Sequence, residues 1–170
     1  MQEKFTNEQW LIISTAPSLI GSAVAMAGRS GVMGTMKEII ASGRSLAAGG
    51  EKYQHNPLIQ SIIPKVEPDQ TQAAANAFSN REQLMNQLRS EGIDSPEAMA
   101  DYALRNLQKA LAFLGEVVYQ KDIDEYKQWV LETGQAVAEA AKEGGFLGIG
   151  GERVSQAETD FLARVRAVID

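Results

Sequence analysis

Five glycines fall within the eight residues from Gly144 to Gly151, with Phe146, Leu147 and Ile149 set between them. Glycine reaches positive φ without a Cβ clash, so this stretch is expected to turn sharply while its apolar side chains fold back onto a core. No other stretch constrains the backbone as tightly. Ser155-Gln156-Ala157-Glu158 follows as a capping box, Ser at the N-cap and Glu three residues on, and predicts that the glycine-rich loop feeds directly into a last helix.

Composition bounds what such a loop can belong to. At 170 residues and 44% hydrophobic the chain can bury a core as one domain spanning 1–170. The net charge of −6 and pI near 4.9 oppose nucleic-acid binding, because phosphate contacts need clustered Lys and Arg, and the 16 basic residues are scattered. With no cysteine there is no disulfide framework, thiolate nucleophile or zinc knuckle, which fits a cytoplasmic protein.

The segment from Trp10 to Ala27 carries no charge, and Ala25-Met26-Ala27 resembles a small-x-small cleavage pattern. A signal peptide would need a basic leader, whereas Glu3 and Glu8 here outnumber Lys4. A membrane span would need a more apolar run than one holding Ser14, Thr15, Pro17, Ser18 and Ser22. The expectation is a buried helix and no membrane partner, with residues 10–27 as the weak alternative.

Helical periodicity runs through most of the chain. Thr6 and Gln9 offer a capping box for a helix to about Ala27, which Pro17 should kink or divide. Ser14, Ser18 and Ser22 form a small-residue stripe that would let another helix come close. A second helix from Val32 is expected to end at Gly49-Gly50. Prolines 57, 64 and 68 make 50–69 an irregular connector, with Asn56-Pro57 capping a short turn over Leu58 to Ile63. From about Asp69 to Arg89 the positions between Ala74 and Leu88 keep a helical period, closed by Gly92. Ser95-Pro96 starts a helix apolar on more than one side, from Met99 to Val118, expected to be central. Asp122 with Glu125 is an acidic analogue of the capping box for the next, whose seam is Ile123, Tyr126, Val130, Val137 and Ala141; Glu125, Glu132 and Glu139 repeat on its solvated side. No period-two pattern stands out. The fold class is therefore all-α, an up-and-down-like bundle of five to six helices.

Trp10 and Trp129 each begin a helix that leads to a glycine loop, Gly28 to Gly34 in one case and Gly144 to Gly151 in the other, a pattern that would suit a decayed internal repeat about a pseudo-twofold axis. Further, Tyr126-Lys127-x-Trp129, Ala138 to Ala141, Lys142-Glu143-Gly144-Gly145-Phe146-Leu147-Gly148-x-Gly150-Gly151 and Val154-Ser155-x-x-Glu158 resemble the C-terminal signature of a family of small all-helical bacterial proteins of uncharacterised function. Ala16-Pro17 and Ser30-Gly31-x-x-Gly34-x-x-Lys37-Glu38 are similar to its N-terminal half. The resemblance implies a bacterial cytoplasmic protein and hands over no activity.

The chemistry open to these residues is narrow. A phosphate loop needs Lys-Ser or Lys-Thr after its glycines, and Gly151 is followed by Glu152-Arg153; a dinucleotide fingerprint needs a preceding strand, and a helix precedes. What remains is a site for a small apolar or anionic ligand at Gly148, Gly150, Gly151, Arg153 and Ser155, where backbone N–H groups at a helix start lie beside a guanidinium. Ser155 and Glu158 would compete there as internal caps. The sole histidine, His55, has no Glu-x-x-His companion, and Glu139 with Glu143 reads as a solvated face, so no metal and no cofactor is expected. Trp10 and Trp129 read as core or interface anchors. Two functional classes follow: a non-enzymatic, self-associating helical scaffold, and a binding module for a small molecule near the glycine loop. An enzyme is the less favoured reading, for want of a paired constellation.

Overall fold

The computed structural model describes residues 1–28, 32–63, 88, 90, 92–142 and 154–170. A 3-10 turn at Gln2–Lys4 precedes α1 (Asn7–Ala27), α2 (Val32–Lys52), a short α3 (Pro57–Ile62), α4 (Pro96–Val117), α5 (Gln120–Lys142) and α6 (Gln156–Ile169). No strand occurs among the described residues, and the fold is an all-α helical bundle.

Start signals in the sequence act as local chemistry dictates. Thr6 Oγ1 accepts from Gln9 N–H while Gln9 Oε1 accepts from Thr6 N–H, a complete capping box. Asn56 Oδ1 accepts from Leu58 and Ile59 N–H ahead of Pro57, and Ser95 Oγ accepts from Ala98 N–H ahead of Pro96. Gly92 takes φ 80°, and Ile93 N–H donates to Leu88 O at 2.9 Å, the long bond of a Schellman ending that seals buried Leu88 against buried Ile93. Most of the helix expected before it, from about Asp69 onward, lies outside the described residues.

Point contacts fix the directions of the helices. Tyr126 reaches Ile13, and Gly134 lies against Ile20 and Val24, so α5 runs parallel to α1. Lys4 Nζ donates to Val117 O, Glu158 lies against Gly28, and Leu162 meets Gly134, so α4 and α6 run the other way. Ser42 at Gly21 and Trp129 at Gly49 set α2 antiparallel as well. Helix α1 touches α2, α4, α5 and α6, and Ile13, Ala16, Ile20, Ala23 and Val24 are fully buried. It is the one described helix long and apolar enough to cross a membrane, and eight of its residues are buried within the domain.

Several expectations change in the folded chain. The central helix is α1, not α4: α4 buries one face through Met99, Ala103, Leu107, Ala110 and Leu114, while Val117 is 43% exposed. Helix α2 does not end at Gly49-Gly50 but continues to Lys52. Those glycines are sites of close approach rather than caps, since a Cβ on Gly49 would stand 2.0 Å from Trp129 Nε1 and one on Gly50 2.8 Å from Ile63 Cδ1. Close approach to α1 falls at Gly21, against Ser42 and Val137. Helix α5 starts at Gln120, so Asp122 lies in its first turn and Glu125 instead accepts from Asn56 Nδ2 at 2.9 Å.

Pro17 does not divide α1, and the structure supplies the reason. Proline has no N–H, so the carbonyl of Ile13 loses its partner one turn on. Tyr126, fully buried on α5, donates its hydroxyl to that carbonyl at 2.7 Å. Burial pushes the Tyr126 phenol well above its ordinary value, which keeps the donor protonated at physiological pH. The defect made by Pro17 is thus repaired from a neighbouring helix, and the repair joins α1 to α5.

Candidate functional site

Helices α5 and α6 pack where glycine removes a side chain. A Cβ on Gly134 would meet Leu162 Cδ2 at 2.9 Å, so these two residues set a common level on the antiparallel pair. Toward the end of α5 the helices leave an open groove of about 370 Å³. Ala138, Leu162 and Ala163 form its apolar bed, with Val154 closing the end where α6 begins. Gln135 and Glu139 stand on one wall, one turn apart; Thr159 and Arg166 stand on the other.

The polar groups differ in what they have left to offer. Thr159 Oγ1 donates its proton to Ser155 O at 3.1 Å and so presents lone pairs only. Gln135 presents an amide, with donors and an acceptor. Glu139 and Arg166 form no ion pair among the described residues. From the level of Gly134 and Leu162, Glu139 lies five residues along α5 and Arg166 four along α6, in opposite directions. At ~1.5 Å per residue their backbones stand about 13 Å apart along the groove.

Of the five residues predicted to hold a ligand, Gly148, Gly150, Gly151 and Arg153 lie outside the described residues. Ser155 is described, and its polar atoms are taken up internally. Its hydroxyl accepts from Glu158 N–H at 3.3 Å and donates to Glu158 Oε2 at 2.8 Å, while its N–H donates to the same oxygen at 2.7 Å. This is the internal competition the capping pattern implied. The other carboxylate oxygen, Glu158 Oε1, is buried without a hydrogen-bond partner, and a Cβ on Gly28 would come within 2.6 Å of it. Gln135, Thr159 and Arg166 were not singled out from sequence. Only the pairing of α5 with α6 brings them together, and a polar residue on the rim of an amphipathic helix gives no signal of its own.

A network of ionisable side chains among the described residues lies elsewhere, where α2 ends against α5. Lys52 Nζ pairs with Glu132 Oε1, Tyr53 OH donates to Glu132 Oε2 at 3.2 Å, and Gln128 Nε2 donates to Oε1 at 2.9 Å. Glu132 is therefore held in a network rather than free on a solvated face. The hydrogen bond to Glu132 raises the Lys52 ammonium above its usual range, and burial raises the Tyr53 phenol. Burial alone would raise Glu132, but the donors around it hold the carboxyl below its ordinary 4.5. All three groups are thus fixed in their resting protonation states, the opposite of what a general base or nucleophile needs.

A pH dependence follows with a definite sign. A carboxyl depressed on folding adds stability above its unfolded value, and that contribution is lost as pH falls through the folded one. Unfolding free energy should therefore decline below about pH 4.5 in part through Glu132. Glu132→Gln should flatten that decline, read from urea midpoints at neutral and acidic pH, and an unchanged slope would exclude Glu132 as a contributor.

His55 is exposed, and no group of three metal-ligating side chains occurs among the described residues. Trp129 is buried in the core, whereas Trp10 is half-buried and stacks on Phe5 with centroids 6.1 Å apart. Comparison with models of protein families, with curated proteins and with solved structures finds no match.

Proposed function

We propose that the chain is a non-enzymatic binding module that takes a small molecule in the groove between α5 and α6. The observation that carries this reading is the groove itself. It joins an apolar bed to four polar groups on its two walls, two of them charged and unpaired among the described residues, at a volume within the range of small-ligand sites. It also reaches Val154 at the start of α6, three residues after the last glycine of the stretch singled out in the sequence. The network of Lys52, Tyr53 and Glu132 supports a non-catalytic reading, because its members are held charged or neutral as they rest.

A second reading, self-association as a helical scaffold, draws on Leu11, Val117 and Tyr119, which are 61%, 43% and 82% exposed. Native mass spectrometry of the protein taken gently from cells separates the two. A protomer carrying a fixed mass excess supports the binding module. A bare multiple of the protomer mass counts against it and supports the scaffold.

A further inference from the structure

Resting on the groove reading, we infer that the ligand is a short linear zwitterion, a free peptide of about three small residues, bound with its amine at Glu139 and its carboxylate at Arg166. Glu139 and Arg166, of opposite charge, line one groove from helix positions about 13 Å apart, with Ala138, Leu162 and Ala163 lining it as well. Each of the two charges is exposed and without an ionic partner among the described residues. A purely anionic ligand would satisfy Arg166 and bring its charge toward Glu139; a purely cationic one would do the reverse. A molecule with both charges well separated satisfies both.

Length and chemistry narrow the class. Extended peptide advances ~3.3–3.6 Å per residue, so three residues span roughly 10 Å. The side chains of Glu139 and Arg166 close the remainder of the 13 Å or so between their backbones. The bed is made of Ala138, Leu162 and Ala163, an apolar surface on which the short side chains of such a peptide can rest. Thr159 offers lone pairs to a peptide N–H, and the Gln135 amide can both donate to a peptide carbonyl and accept from a peptide N–H. The wall groups therefore match a peptide backbone as well as its termini.

Titration of the isotope-labelled full chain with trialanine, N-acetyl-trialanine and trialanine amide, followed by amide chemical shifts, tests this. Trialanine should perturb α5 and α6 around Ala138 and Ala163, with affinity in the millimolar to micromolar range. Blocking either terminus should weaken binding about three- to fivefold, the scale of one exposed ion pair. Glu139→Gln should become indifferent to acetylation and Arg166→Gln to amidation, each keeping its response to the other modification. Equal binding of all three peptides in the groove would overturn the zwitterion and leave the groove reading standing. Octanoate, an apolar anion, separates the remaining cases. If it perturbs the groove and trialanine does not, the peptide inference falls alone. If neither perturbs the groove, both fall.

Discussion

Gly49→Ala is expected to lower the unfolding free energy by about 2 kcal/mol, although alanine is the better helix former by roughly 1 kcal/mol. The reason lies across the α2–α5 interface. The added methyl would stand 2.0 Å from Trp129 Nε1, 2.4 Å from Cδ1 and 2.8 Å from Cε2, along one edge of an indole that is 1% exposed. An indole is rigid, and Tyr126 packs edge-on to it at 6.2 Å, so it cannot step aside within a closely packed core. Either α2 moves away or Trp129 leaves its rotamer, and each sacrifices contacts of the largest core side chain. For 170 residues a loss of 2 kcal/mol corresponds to a fall in Tm of roughly 4–8 °C.

Gly43→Ala is the internal control. Gly43 lies in the same helix, and a methyl added there would meet nothing within 4 Å, so this variant should hold or gain stability by up to about 1 kcal/mol. Calorimetric melting of the two variants side by side decides the matter. Equal Tm values would show that Trp129 does not sit on Gly49. Trp129→Leu placed in the Gly49→Ala background should cost less than it does alone, since it removes the colliding ring.

What could be read from the sequence, and what could not, follows from the range of the forces involved. Caps act over three or four residues, so Thr6, Asn56, Ser95 and Ser155 announced their helices, and Gly92 announced an ending. Glycine is ambiguous in the same local view. At Gly92 it serves its own backbone, whereas at Gly49 and Gly134 it makes room for a side chain from another helix. Nothing within four residues distinguishes the two uses. The same limit explains the misplaced centre. Helix α4 carries more large apolar residues than its buried face needs, and α1 is thinned by serines, yet α1 is surrounded because its small residues let four helices reach it. Glu132 looked solvated because its partners Lys52 and Tyr53 lie 80 and 79 positions away. The groove was invisible for that reason too. The glycine-rich sequence stands out locally, whereas the polar groups of the groove belong to α5 and α6 themselves and carry no local signal.

The repair of α1 at Pro17 makes the sharpest quantitative case. Tyr126→Phe removes only a hydroxyl, yet it should cost about 1–3 kcal/mol, because Ile13 O then lies buried with no donor within reach. In most helices the same carbonyl would keep its N–H partner four residues on, and the loss would be smaller. That contrast can be built into the protein. Pro17→Ala supplies the missing N–H to Ile13 O and relieves the steric clash of the ring with the preceding turn. In that background Tyr126→Phe leaves the carbonyl satisfied within its own helix, so its cost should fall by about 1 kcal/mol or more, a coupling expected of residues that share one acceptor. Urea denaturation of the four proteins gives the cycle directly. An identical cost for Tyr126→Phe in both backgrounds would mean that the hydroxyl does not compensate for the proline. A reduced cost would mean that α1 keeps a helix-breaking residue at its centre because another helix completes its hydrogen bonding, and that the packing of α5 on α1 is specified by a polar contact as well as by apolar fit.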